Sequence, residues 1–205
     1  MEKLTIIIPL HEYNDSVAQY LTKALDSVKN LRSNEMSVLS FIGPKSVISE
    51  AKKLLKSVKL PQTVNYYEND NTDFFVQVNT AVKYCLTEYF SVLEFDDTYY
   101  EYWLENFWKY ANAVNEASIY LPIVELYDTE DNFGGFVNEI AWATSFSADE
   151  IGYLDLDCLK SFMDFNVTGA IINTEDFLAV GGLKPSLKIA AWYEFLMRIA
   201  NNKKD

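Results

Sequence analysis

Histidine, cysteine and basic residues are scarce in this chain. One histidine, His11, and two cysteines, Cys85 and Cys158, occur in 205 residues. A lone histidine has no partner for a metal pair or a proton relay and reads as a hydrogen-bonded structural residue. The cysteines are far apart in sequence, which argues against a paired-thiolate motif and suits reduced thiols in a reducing compartment. Lys and Arg number 17 against 30 Asp and Glu, a net charge of −13. That field repels phosphate backbones and anionic lipid and disfavours nucleic acid as a general partner; an anionic ligand needs a divalent cation or a local cluster of donors to offset it. No charged leader followed by an apolar segment opens the chain, and no apolar run approaches the roughly 18 residues of a membrane span, so a soluble, cytoplasmic protein is expected. Glycine-rich phosphate loops are missing as well. The first apolar run is followed by H-E-Y-N-D rather than G-x-G-x-x-G, and there is no P-loop, which argues against a nicotinamide-binding Rossmann domain.

What the chain does have is apolar and aromatic mass: 49% of residues are hydrophobic and 15% aromatic, enough for one sizeable core and a single domain over residues 1–205. Leu4 to Leu10 is a β-branched run of the kind buried on both faces of a sheet. Cap-type residues Asn14, Asp15 and Ser16 then precede Val17, Leu21, Ala24, Leu25 and Val28 at helical spacing. The alternation predicts strands over Ser37–Ile42, Thr63–Tyr67 and Tyr89–Phe95, and helices over Val47–Val58 and Phe74–Leu86. Beyond these, the pattern predicts a helix over Tyr102–Ala117, a strand near Ile119–Leu126, a polar loop over Tyr127–Phe136, a strand over Val167–Ile172 and helices over Thr174–Ala179 and Ile189–Ala200. Ile189, Tyr193, Leu196, Met197 and Ala200 are expected to line one face of the last helix. Strand and helix in turn imply an α/β fold with a mainly parallel central sheet flanked by helices. An aromatic-rich stretch from Tyr99 to Tyr110 reads as core by default and leaves self-association into a homo-oligomer open.

In an open parallel sheet, ligands gather at the carboxyl ends of strands, so acids placed just after a strand carry weight. In L-E-F-D-D, Glu94 and Asp96 fall on one side of the predicted strand and Asp97 begins the turn, crowding two or three carboxylates together. Hard oxygen ligands of this kind suit Mn²⁺ or Mg²⁺, with coordination positions left for a diphosphate. The plainer reading is a solvated turn with a helix cap at Asp97 or Thr98. In the loop P-L-H-E-Y-N-D, from Pro9 to Asp15, Tyr13 is suited to stacking on a nucleobase and Asn14 or Asp15 to bonding its edge; the alternative is a capped helix start with a packed tyrosine.

The segment I-I-I-P-L-H-E-Y-N-D with L-x-x-A-L-x-S-V from Leu21 to Val28 resembles the opening of family 2 glycosyltransferases. V-N-T-A-V-K-Y-C, carrying Asn79, and E-Y-F-S-V-L-E-F-D-D resemble the family's asparagine-bearing helix and its D-x-D-D strand end. G-A-I-I-N-T-E-D-F-L-A-V-G-G-L and Y-E-F-L-M-R resemble its acceptor-side segment and closing helix. The resemblance covers about residues 4–97 and 166–200 and implies the GT-A fold, with residues 1–97 as a nucleotide-binding half and 98–205 as an acceptor half. It also implies a nucleotide-sugar donor, UDP-linked by family habit, packed against Pro9, Tyr13, Asn14, Asp15 and Asn79, with Glu94, Asp96 and Asp97 as the metal and diphosphate site. The reaction implied is inverting transfer of the sugar to a glycan or small-molecule acceptor, with a carboxylate taking the acceptor's proton.

Two departures stand out. Where the family places Glu-Asp before the last helix, the aspartate serving as base, this chain has Ala191-Trp192. Glu194 lies three positions past Ala191 as a substitute base, or else pairs with Arg198 at i, i+4; Trp192 suits sugar stacking. After the second strand the family's acidic turn is replaced by F-I-G-P-K-S, which retains Gly43 and Pro44 but moves base recognition elsewhere, to Glu68 or Asp70, with Lys45 in reach of a phosphate. The readings are therefore an active glycosyltransferase, a binding or structural GT-A-like protein that lost its base, and, against the charge, a transferase acting on a modified nucleic-acid base. Sugar nucleotidyltransferases share the architecture but need the basic glycine-rich loop that is missing here.

Overall fold

The run L-T-I-I-I-P forms strand β1 (Leu4–Pro9), every residue of which is buried, and S-V-L-S-F-I-G forms β2 (Ser37–Gly43), buried throughout. Burial on both faces explains the lack of polar alternation in the two sequences. The computed structural model describes residues 3–114, 116–138, 156–160 and 165–202. Along these the elements are β1, α1 (Asp15–Lys29), β2, α2 (Lys45–Val58), β3 (Thr63–Glu68), α3 (Phe74–Val82), β4 (Tyr89–Val92) and α4 (Trp103–Ala113). They continue with β5 (Ile119–Tyr120), β6 (Val124–Tyr127), β7 (Phe133–Val137), α5 (Leu156–Lys160), β8 (Ile171–Asn173), α6 (Thr174–Ala179) and α7 (Ala191–Asn202).

Six strands make one sheet in the order β3-β2-β1-β4-β8-β5, and β6 pairs with β7 in a separate hairpin. The four strands β3, β2, β1 and β4 run parallel, while β8 is antiparallel to both β4 and β5, so the sheet is mostly parallel with an antiparallel edge. The chain winds outward from β1 through β2 to β3, then returns to place β4 on the opposite side of β1. That reversal is a topological switch point, and it puts a crevice at the carboxyl ends of β1 and β4.

Two apolar clusters sandwich the sheet. Leu4, Ile6 and Ile8 point into one with Leu21, Leu25 and Val28 of α1, and Ile7 joins the other with Val78, Val82, Phe90, Phe177 and Phe195. Each such fully buried side chain contributes about 1.5–3 kcal/mol relative to exposure. The five α1 residues picked out by helical spacing are all buried, and the Asn14 side chain caps the helix by accepting from the Val17 amide at 3.0 Å.

Several boundaries move. Strand β4 stops at Val92 instead of Phe95, because Leu93 makes the last ladder bond, its amide donating to Ile7 at 2.9 Å, and the chain then turns, Asp97 donating to Glu94 at 3.1 Å. The expected strand over Ile119–Leu126 is two short strands in different sheets, and the expected loop runs from Phe133 into the second strand of the hairpin, Phe133–Val137. The last helix begins at Ala191; Ile189 precedes it, fully exposed, and lines no face. Of the aromatic stretch, Tyr99 and Phe107 are core while Tyr100, Tyr102 and Tyr110 are exposed. Cys85 is a free thiol pushed up to about 11 by burial, and the Cys158 side chain lies outside the described residues.

Candidate functional site

Pro9 sits at the end of a central strand, where proline is normally excluded because it cannot donate to the ladder. Its neighbours show why it is tolerated. Leu10 donates to Ile42 at 2.8 Å on the β2 side, whereas the pairing of β1 with β4 ends at Ile7 and Val92. By alternation, Pro9 faces the β4 side, just beyond the point where β1 and β4 separate, so the missing donor falls where the crevice opens. Gly43 closes the other wall: a Cβ there would lie 2.1 Å from the Leu10 carbonyl oxygen, so only glycine lets the turn after β2 approach the loop after β1.

Two segments meet over the crevice. From β1 comes His11–Asn14, with the His11 ring 6.1 Å from that of Phe95. From β4 comes the acidic turn. Glu94 has solvent access along one side but is otherwise set back among protein atoms. Loss of bulk water, followed by repulsion from Asp97 and then Asp96, pushes its carboxyl up to about 7. The Asp97 carboxyl is also raised, by burial and then by Asp96, despite accepting from Thr168 Oγ1 at 3.2 Å. These acids are crowded, yet among the described residues no three His, Cys, Asp or Glu side chains are placed to hold a metal ion together. The expectation was of two or three carboxylates, Glu94, Asp96 and Asp97, holding a cation with coordination positions left open. What remains is a set of hard oxygen donors on a short turn, which fits Mg²⁺ or Mn²⁺ held by one or two carboxylates with a diphosphate and water filling the rest.

The other expected contacts divide. Pro9 is buried in the sheet and shapes the crevice. Tyr13 is half-buried against the core beside α2; burial first, then the charge of Glu50, raises its hydroxyl. Asn14 commits its side-chain oxygen to the α1 cap, and Asp15 is exposed in the first turn. Glu68, Asp70 and Lys45 are exposed at the carboxyl ends of β3 and β2, on the same rim.

Asn79, an expected donor contact, is engaged within the protein. Its Nδ2 donates to the Leu183 carbonyl and its Oδ1 accepts from the Leu183 amide, both at 2.8 Å, so it clamps the G-G-L turn as a backbone strand would. Glu194, the expected substitute base, is held in ion pairs. Arg198 donates to it from Nε at 2.9 Å and from Nη2 at 2.6 Å, Lys184 adds a further ion pair, and the Arg198 contacts hold its carboxyl down to about 2, where it is a poor proton acceptor. Arg198 also donates to Gly182 at 2.8 Å and to Val180, tying the same turn to α7. Ala191, which is fully buried, and Trp192, which packs edge-on against Phe195, carry no carboxylate.

Sequence reasoning missed the polar lattice beside Asp97. Asn138 donates to Pro122 and to Asn166, whose own side chain receives the Thr168 amide, while Trp103 Nε1 donates to Gly169 at 2.9 Å. This lattice fixes Thr168 against Asp97. The only local signal was the turn-like N-V-T-G string, in which Gly169 takes φ +71°. A cleft of about 1690 Å³ extends from Asp96 and Asp97 between α1, α4 and the hairpin, where Tyr100 and Tyr127 both donate to Glu125.

A mostly parallel sheet with an antiparallel edge, an acidic turn at the switch point and an adjoining open cleft define the GT-A class of fold. The fold matches residues 1–349 of S. aureus TarS solved with UDP-GlcNAc, with a TM-score of 0.69 and 16% identity, covering 98% of this chain and 54% of that one. It also matches mannosyltransferase PcManGT from Pyrobaculum calidifontis in complex with GDP-Man and Mn²⁺, with a TM-score of 0.68 and 14% identity, covering 97% and 52%. The chain thus spans about half the length of these solved chains. Among curated protein sequences none is significantly similar. The sequence model of glycosyl transferase family 2 matches residues 5–155, and the chain belongs to that family. The match runs into Ser118–Asp155, where no motif was recognised, and stops short of the resemblance seen over 166–200.

Proposed function

We propose that this chain binds a nucleotide-diphospho-sugar at the crevice between β1 and β4 and transfers its sugar to an acceptor hydroxyl entering from the cleft beside Thr168. The observation that carries the proposal is the convergence of the post-β1 loop and the Glu94–Asp97 turn at the switch point, with carboxylates crowded enough that a cation relieves them. Asp96 and Glu94 are assigned to a divalent cation, Mn²⁺ or Mg²⁺, which when bound supplies charge neutralisation for a leaving diphosphate. Tyr13 and the rim residues Glu68 and Asp70 face the base; the neighbours' UDP and GDP ligands favour a nucleoside diphosphate without choosing between them. With Glu194 held as a carboxylate of low basicity, Asp97, which lines the cleft, is the proton acceptor. The acceptor oxygen forms its bond to the anomeric carbon as the bond to the diphosphate oxygen breaks and the proton passes to Asp97, inverting the configuration.

Calorimetry with UDP- and GDP-sugars, with and without Mn²⁺, tests this. Binding strengthened by Mn²⁺, and loss of that increment in Asp96→Ala, is the expected result; no heat with any donor in the presence of metal sinks the proposal. A second reading, donor binding without turnover, is favoured by the burial of Ala191 and the locking of Glu194. It predicts Mn²⁺-dependent binding with neither transfer nor donor hydrolysis.

A further inference from the structure

Between the clamped turn at Leu183 and the buried Ala191 runs Pro185–Ala190, a 3₁₀ segment with no buried residue. Its ends are fixed. Leu183 is held by both amide atoms of Asn79, and Ala191 has no solvent exposure. Its middle is loosely packed: Ile189 is 103% exposed, and Leu187, though partly covered, is 39% exposed. Lys188 has φ 43° and ψ −101°, a conformation a lysine rarely adopts. It is tethered at its far end, where its ammonium pairs with Asp73.

Asp73 is the cap of α3, and its two oxygens have separate tasks. Oδ1 accepts from the Val76 amide at 3.1 Å, and Oδ2 takes Lys188. Releasing the lysine therefore leaves the helix capped. One turn on, Gln77 is fully buried and donates to the Leu10 carbonyl at 3.2 Å and to Asn71 at 3.0 Å, so the start of α3 abuts the residue that follows Pro9. The latch thus parks an ammonium on the same rim as the post-β1 loop. Of the other cations, Arg198 and Lys184 are committed to Glu194 and Lys23 to Asp131, while Lys45 stands exposed on the same rim.

We propose that Pro185–Ala190 is a cationic strap that closes over the donor end of the site, Lys188 leaving Asp73 for the diphosphate of a bound nucleoside diphosphate. The inference rests on the donor reading above. It supplies what a chain of net charge −13 needs for an anionic ligand, a movable positive charge beside the crevice. It also gives Leu187 and Ile189 a surface to cover.

The test is titration of UDP and of GDP, each with Mn²⁺, into the native protein and into Lys188→Ala, Lys188→Arg and Asp73→Asn, with melting temperatures as fold controls. Lys188→Ala is expected to weaken binding about tenfold, the worth of one charge-assisted contact, and Lys188→Arg to restore most of it. Asparagine caps a helix as well as aspartate, so Asp73→Asn keeps α3 while freeing the lysine and tightens binding about threefold. A merely structural ion pair predicts the opposite sign for Asp73→Asn. Unchanged affinity in Lys188→Ala, or weaker binding in Asp73→Asn, overturns the strap while leaving the donor reading intact. Absence of binding to the native protein overturns both.

Discussion

Replacing Gly43 by alanine is the sharpest probe of how the crevice is built. The added Cβ would sit 2.1 Å from the Leu10 carbonyl oxygen and 3.2 Å from its carbon, against an ordinary van der Waals separation above 3.4 Å. Neither partner is the tip of a flexible side chain. Leu10 is fully buried, its amide is bonded to Ile42 at 2.8 Å, and its carbonyl receives Gln77, while the Gly43 carbonyl accepts from Asn69 at 2.8 Å. Relief of the clash means moving backbone by roughly an ångström and losing at least one of these buried bonds, at a cost of about 3 kcal/mol. For a domain of this size that lowers the melting temperature by roughly 6–12 °C. The same shift carries the His11–Asn14 loop away from the acidic turn, so donor affinity falls further than stability explains. Thermal melts with matched calorimetry measure both. A Gly43→Ala protein that melts within about 2 °C of the native one and binds donor normally refutes the account of the crevice.

Three further outcomes are expected. Asp97→Asn relieves the repulsion on Glu94 while keeping an acceptor for Thr168, so without metal it melts higher, by about 1 kcal/mol of stability, and it loses sugar transfer while keeping the Mn²⁺-dependent gain in donor binding; a lower melting temperature contradicts the crowding argument. Asn79→Ala strands the buried Leu183 amide and carbonyl and costs about 2 kcal/mol in denaturant melts, whereas a cost below about 0.5 kcal/mol shows the clamp to be dispensable. Glu194 has a folded pKa of about 2, below its unfolded value, so its stabilisation is complete above about pH 4.5 and is lost as pH falls from there through 2. With the pair partly solvated the effect is about 1 kcal/mol, and the stability gap between native protein and Glu194→Gln should narrow between pH 6 and pH 2.5; a constant gap disproves it.

Local patterns read correctly from sequence were those with a local cause. The burial of β1 follows from its uninterrupted apolar run, and the five core residues of α1 follow from the 3.6-residue repeat with Asn14 as the cap. The G-A-I-I-N-T-E-D-F-L-A string placed α6 correctly because Asn173 caps it by accepting from the Asp176 amide at 3.0 Å. The acidic turn was found, but its geometry was not. Alternation along a strand governs side-chain direction only while the strand lasts, and β4 ends two residues before Glu94.

The chain by itself determined the alternating strands and helices of its first half, the mostly parallel character of the sheet and the family, because periodicity, caps and acids at strand ends act over a few residues. Tertiary structure alone decided the roles of the polar side chains. Asn79 and Leu183 are 104 residues apart, and Lys188 reaches Asp73 across 115; nothing in either neighbourhood announces the partner. Whether a carboxylate serves as base, ligand or counter-ion depends on which charges and how much water surround it: the lysine that pairs with Asp73 arrives from a distant part of the sequence, whereas Glu194 and Glu94 have their charged neighbours, Arg198 and Asp96 with Asp97, close by, and tertiary packing decides how far water is kept from them.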